Sequence, residues 1–170
     1  MGILNSIRRF WYFSIRHRWV SCGKEVHVQL GCFFGGAAPE VTIGNQVGIG
    51  FNCMFLCKTH IGSQVLIGSN VHFVNRHDHR YDVVGKSVWD SGRGAAEKII
   101  VGNDVWIGQS VTILAPVVIG RGAVVAAGSI VTQNVPPYAI VAGNPATMIK
   151  MRFNSGQIAE HERLLGYSAS

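Results

Sequence analysis

Ile43-Gly44-Asn45-Gln46-Val47-Gly48, followed at once by Ile49-Gly50-Phe51-Asn52-Cys53-Met54, opens a period of six that decides the fold. The first slot of each hexad holds Ile43, Ile49, Phe55, Ile61, Ile67 and Phe73, then after a break Val101, Ile107, Ile113, Ile119, Val125 and Val131. The fifth slot holds Val47, Cys53, Thr59, Val65 and Val71, then Val105, Val111, Val117, Ala123, Ser129 and Val135. Only small or β-branched side chains occupy it. Gly follows the first slot at Gly44, Gly50, Gly62, Gly68, Gly102, Gly108 and Gly120, where a corner needs permissive backbone angles or close backbone approach. This is the hexapeptide signature of a parallel β-helix, in which each hexad is one short strand plus a corner and each coil buries its apolar slots against the next. A helix would need apolar residues at three- and four-residue steps, which residues 43–135 do not show.

Working outward, the repeat begins faintly at Cys22-Gly23-Lys24-Glu25-Val26, breaks from Gly31 to Pro39, breaks again from Val74 to Ile100, and ends at Pro136-Pro137-Tyr138. Gln157 to Leu165 fits a short terminal helix. The expected organisation is a helical cap over 1–20, a β-helix over 21–146 with a protruding loop at 74–100, and a C-terminal tail and helix over 147–170. At 170 residues, with 48% hydrophobic and 14% charged side chains, the chain suits one domain of short strands and tight corners. No apolar run approaches the roughly 20 residues of a membrane span, and the aromatic and Arg-rich start lacks the apolar core of a secretory signal. Cys22, Cys32, Cys53 and Cys57 form no CxxC pair and read as reduced thiols of a cytoplasmic protein.

The net charge of +6 is unevenly placed. Arg8, Arg9, Arg16, Arg18 and Lys24 lie among Ile7, Phe10, Trp11, Tyr12, Phe13, Ile15 and Trp19, which reads as an amphipathic helix. A solenoid end requires a cap, and this segment supplies one. The same composition also suits peripheral contact with an anionic membrane surface. The basic residues carry no nucleic-acid-binding motif, so no nucleic-acid partner is expected.

Candidate chemistry concentrates in the second break, Val74-Asn75-Arg76-His77-Asp78-His79-Arg80-Tyr81-Asp82. A His beside a carboxylate can act as a general base whose tautomer the carboxylate fixes. Alternatively, His77 and His79, with His60, could share a zinc ion as in a metal-dependent hydratase, because HxH places both imidazoles on one side of an extended strand.

Through three passages the chain resembles the hexapeptide-repeat acyltransferases that use acetyl-CoA, in the branch of galactoside, maltose and xenobiotic O-acetyltransferases. The passages are Ile67-Gly68-Ser69-Asn70-Val71 leading to Asp78-His79-Arg80-Tyr81-Asp82; Val101-Gly102-Asn103-Asp104-Val105-Trp106-Ile107-Gly108; and Ala126-Ala127-Gly128-Ser129-Ile130-Val131-Thr132 running on to Ala142-Gly143-Asn144-Pro145-Ala146. The resemblance implies a left-handed coil, assembly as a homotrimer, and acetyl transfer from acetyl-CoA to a sugar hydroxyl in cell-surface polysaccharide synthesis. The alternative it leaves is N-acetylation of an amino-sugar nucleotide, and the histidine-rich zinc reading is its rival; no metal is expected. It implies His79 as general base, with His77 as the alternate, Asp82 as a further catalytic residue, and the Gln109 backbone N–H as oxyanion donor. Trp106, Gly108, Gln109, Ala126, Ala127, Thr132, Lys150 and Arg152 are the implied CoA contacts, and Asn75, Asp78 and Tyr81 the implied acceptor contacts. Gln133 and Thr147 stand where basic residues are frequent in that family, which leaves Lys150 and Arg152 to meet phosphate. The acceptor-binding Asn has no clear counterpart, Gly50 and Asn52 lying nearest to it.

Overall fold

The computed structural model describes residues 3–35 and 40–167. All first-slot and fifth-slot side chains named above are buried, including Thr59 and Ser129. Their strands fall in turn on three sheets, so that three hexads complete one coil and partners lie 18 residues apart, as Thr42 and His60 do. The first sheet holds Val20–Cys22, Val41–Ile43, Lys58–Ile61, Lys98–Val101 and Val117–Ile119, all parallel. The second holds His27–Val28, Gly48–Ile49, Leu66–Ile67, Trp106–Ile107, Val124–Val125 and Ala139–Gly143. The third holds Phe33–Phe34, Met54–Phe55, His72–Asn75, Thr112–Ala115 and Ile130–Val131. Strand alternation sends one side chain in and the next out, which is why a period of six registers as a period of apolar slots.

The structure separates the two explanations for the corner glycines. At Gly108 a Cβ would sit 2.5 Å from the backbone nitrogen of Ala127 in the next coil, so the second slot is glycine because two backbones touch there. Left-handed backbone falls instead on the fourth slot, at Gln46, Asn52, Gln64, Asn70, Asp104 and Ser110, with φ of 55–61°. Short polar and amide side chains tolerate that region better than bulky apolar ones.

The coil continues through two stretches in which the sequence repeat lapses. Phe33–Phe34 lies inside the break read from Gly31 to Pro39, yet it pairs with Met54–Phe55 and buries Phe34 completely. The rung escapes the pattern because Gln29 stands in the glycine slot after Val28; residues 36–39 of that break lie outside the described residues. At the far end Ala139–Gly143 adds another parallel rung beyond Pro136-Pro137, and Ala146–Met151 then turns back antiparallel against it. That hairpin covers an edge which would otherwise present unpaired backbone groups.

The excursion occupies 76–97, shorter at both ends than the sequence reading, because Val74 and Asn75 pair with Leu114 and Ala115 while Lys98 to Ile100 pair with Lys58 to His60. Neighbours across it, such as Ser63 and Asn103, are 40 residues apart where an ordinary coil step is 18. The difference, 22 residues, is the length of 76–97, so the coil resumes in register.

Helix α1 (Ile3–Phe10) continues in wider π-helical turns over Trp11–Arg16 and lies at the first coil. Tyr12 and Phe13 are buried there, their rings meeting Phe34 edge-on, and the Cys32 N–H donates to the Tyr12 hydroxyl at 3.2 Å. His17 is 2% exposed, enclosed by Tyr12, Trp19, Phe33 and Phe34, with neither ring nitrogen in a well-formed hydrogen bond. Burial, and then the Arg16 charge, hold its pKa below 6.5, and the nearby Phe34 backbone offsets only part of this. The unfolded chain therefore takes up a proton before the folded one does as pH falls through 6.5. Urea midpoints are expected to drop between neutral pH and about pH 5, and His17→Leu to flatten that part of the profile. A wild-type profile matched by His17→Leu would remove His17 as the cause.

Helix α2 (Ser155–Leu165) starts from a reciprocal Asn154–Gln157 capping box and ends at Gly166 in the left-handed region. It is held to the coil by polar groups: Arg121 to Glu162 at 3.2 Å, Tyr138 to Glu162 at 3.2 Å, and His161 to Asp104 at 3.0 Å. Burial and the Glu162 carboxylate push the Tyr138 phenol up to about 12. Among the described residues no helix is long and apolar enough to cross a membrane.

Candidate active site

The excursion leaves the third sheet at Asn75 and folds back on itself through a short antiparallel contact between His79 and Arg93. Around that bridge the Arg80 N–H donates to the Gly92 carbonyl at 3.0 Å and the Gly94 N–H to the Asp78 carbonyl at 3.3 Å. This pairing brings Asp78 diagonally beside Arg93, whose Nη1 reaches both carboxylate oxygens at 2.7 and 2.9 Å. The Asp78 carboxylate also lies 3.5 Å from Nε2 of His79. His79 is about half exposed and overlooks an open depression of about 350 Å³ lined by His77, His79, Arg80, Tyr81, Asp82 and Arg93.

Asp82, expected among the catalytic residues, lies beyond the end of the short bridge and is exposed; the carboxylate beside His79 is Asp78, expected from sequence to meet the acceptor. His77 has a carboxylate of its own, with Glu97 Oε1 3.8 Å from Nδ1 and the Tyr81 ring 6.4 Å away. Asn75 is committed to the base of the excursion: its side chain donates to the Ala95 carbonyl at 2.9 Å and accepts from the Glu97 N–H at 3.3 Å. Arg93 and Glu97 were not among the residues singled out from sequence. They arrive from the returning limb, and nothing in their spacing marks them. His60, the third member of the zinc reading, bonds to Thr42 on the first sheet at 2.6 Å, and among the described residues no three His, Cys, Asp or Glu side chains group to hold a metal.

The second group of candidates sits elsewhere. Gly108, Gln109, Ala126 and Ala127 form the corner that leads into the third sheet, whereas the excursion departs where strand His72–Asn75 of that sheet ends. In the first coils the third-slot N–H is capped by a side chain one coil up: Lys24 by Asn45, Asn45 by Ser63, Phe51 by Ser69 and Ser63 by Asn103, at 2.8–3.1 Å. Gln109 faces Ala127 at the equivalent place, and a methyl group cannot accept. Its N–H is therefore available for another acceptor, as is that of Asn103 opposite Arg121.

Trp106, 57% exposed, points outward from the second sheet and is followed along the ladder by Val124, Ile140 and Lys150. Three interstrand steps of about 4.8 Å separate Trp106 from Lys150, a lane of about 14 Å. Thr132 lies at the other end of the third sheet, where its carbonyl accepts from the Arg76 guanidinium. Arg152, expected to face phosphate, is turned inward: it pairs with Asp104 at 2.7 Å and donates to the Gly122 carbonyl at 3.1 Å.

With this geometry in view, comparisons with known proteins define the class. Residues 98–133 match the bacterial transferase hexapeptide model of six repeats. A chloramphenicol acetyltransferase of Klebsiella aerogenes is 39% identical over 116 residues, covering 60% of this chain and 55% of that enzyme. A hexapeptide-repeat acetyltransferase of Vibrio cholerae O1 biovar eltor, solved with acetyl coenzyme A, superposes with a TM-score of 0.65 at 26% identity, over 89% of this chain and 80% of that one. A maltose O-acetyltransferase of Clostridium difficile 630 superposes with a TM-score of 0.53 at 29% identity, over 79% and 64%. The chain thus carries a bacterial transferase hexapeptide domain, and its sequence and structural neighbours are acetyltransferases of the hexapeptide family. It spans just over half the length of the chloramphenicol acetyltransferase it matches.

Proposed function

We propose that this protein transfers an acetyl group from acetyl-CoA to a hydroxyl of a saccharide, within the building of a cell-surface polymer in the cytoplasm. The observation that carries the reading is His79, held between its own Asp78 partner and an open depression. Asp78 favours the proton on Nε2, which leaves the Nδ1 lone pair to take the acceptor's hydroxyl proton. Arg93 fixes the Asp78 carboxylate and so the tautomer. Acetyl-CoA supplies the activated acyl thioester. Residues that would hold it are Trp106 and Lys150 along the second-sheet lane, with Gly108, Ala126 and Ala127 giving a surface low enough for a long thin arm. The uncapped Gln109 N–H is suited to donate to a carbonyl oxygen as it gains charge.

A left-handed coil and a homotrimer belong to the same reading. Within one chain the small-residue corner and the histidine excursion occupy opposite ends of the third-sheet strands, which supports a site completed by a second copy. Sugar-linked neighbours such as the maltose O-acetyltransferase support a saccharide acceptor. The test is release of free CoA thiol from acetyl-CoA, followed with hydroxyl sugars and with amino sugars. Release with hydroxyl sugars is the expected result; release with amino sugars alone would move the acceptor to nitrogen, and no release with either would overturn acetyl transfer to sugars.

A further inference from the structure

We propose that the N-terminal segment docks the protein on an anionic lipid bilayer, in addition to closing the first coil. The cap consumes only part of this segment. Tyr12, Phe13 and His17 are buried, yet Leu4 remains 74% exposed, and Ile7, Phe10, Trp11, Ile15 and Trp19 are exposed with it. Leu4, Ile7, Trp11 and Ile15 follow one another at three- and four-residue steps, which places them along one side of the helix. Trp19 extends the surface, its ring contacting His17, and His17 in turn meets the partly exposed Phe33.

Charge selects the occupant. Residues 1–24 contain five Lys and Arg and no Asp or Glu. Arg8 and Arg9 are engaged with the coil, through Gln29 Oε1 at 2.6 Å and the Gly23 carbonyl at 2.8 Å. Arg16 and Arg18 are exposed, and the Arg16 guanidinium lies 5.2 Å from the Trp11 ring centre, at the margin of the apolar stripe. A second copy docking through the same face would set one excess of positive charge against another. A neutral apolar partner would leave the arginines unused. An anionic bilayer meets both needs, taking the apolar side chains and the two tryptophans into its interface while its headgroups pair with the cations. The inference stands apart from acetyl transfer, since it uses no residue of the candidate active site.

Flotation of the full chain with phosphatidylcholine vesicles, alone and containing phosphatidylserine, tests it. Binding to the phosphatidylserine vesicles only, weakened by salt, is the expected result. Arg16→Gln with Arg18→Gln should weaken that binding about tenfold or more, at about one favourable kilocalorie-scale contact per cation. Ile7→Ser with Ile15→Ser should weaken it comparably, because the apolar side chains enter the interface. Both pairs are exposed, so unchanged thermal unfolding would confirm that the fold is kept. No flotation with anionic vesicles at low salt would overturn the proposal. So would binding indifferent to Ile7 and Ile15, which would be charge attraction alone, or self-association that depends on those two residues, which would place a second copy on this face.

Discussion

His79→Ala is expected to lower turnover by about a hundredfold or more while acetyl-CoA binding is nearly retained, because the proposed role is general-base assistance, typically worth about 10² to 10⁴. The imidazole stands on the excursion, away from the second-sheet lane assigned to CoA, so its removal should leave ground-state binding of the donor in place. Steady-state kinetics with the acceptor identified by thiol release, together with calorimetric titration of CoA, separate the two effects. His77→Ala is the internal control. It faces Glu97 and not the Asp78–Arg93 pair, and should lose far less activity. If His77→Ala proved the severe variant and His79→Ala the mild one, the general base would be His77 with Glu97 as its partner.

Phe55→Ala is expected to cost about 3–5 kcal/mol of stability, the usual range for truncating a buried phenylalanine. Phe34, Phe55 and Phe73 stack up the axis of the coil, with ring centres 4.6 and 4.5 Å apart and rings within 4° and 13° of parallel. All three are fully buried. Removing the middle ring leaves a void between two coils and uncouples the capped N-terminal coil from the rest. A stack of this kind owes its stability to contacts between neighbouring coils, so the loss is felt on both sides. Urea unfolding at one fixed protein concentration measures it, the fixed concentration being needed because self-association adds to apparent stability. A loss under about 1 kcal/mol would mean that the neighbouring rings close the gap.

The coil was legible because its slots obey packing rules that act at a fixed spacing. Ile107, Val111 and Ile113 could each be assigned inward from their position alone, and each is buried. Phe34 fell in a stretch read as a break, its rung lacking the glycine after Val28, whereas Ala139–Gly143 lay within the expected β-helix but past the end of the repeat, because Pro136-Pro137 interrupts the period without interrupting the coil. The histidines and acids of 75–82 stood out by composition, but their partners did not. Arg93 and Glu97 reach them through a fold-back of the chain that no periodicity encodes. Arg152 shows the converse: a basic residue near the expected phosphate end, spent instead on Asp104, 48 residues earlier. The availability of the Gln109 N–H was written in the sequence as Ala127, yet its meaning depends on knowing that third-slot side chains one coil up serve as caps.

The excursion enters and leaves without altering the register of a single sheet, Lys58 to Ile61 facing Lys98 to Val101 as though the chain had never departed. The protein is therefore free to change at two tempos. A substitution in an inward slot must satisfy the coil above and the coil below, so the scaffold drifts slowly. The segment 76–97 meets the coil at few places, such as Arg76 on the Thr132 carbonyl, so most of its length and side chains can be rewritten as a cassette with the inward slots left untouched. On the proposed reading, a new acceptor is recruited by exchanging one loop on an unchanged stem.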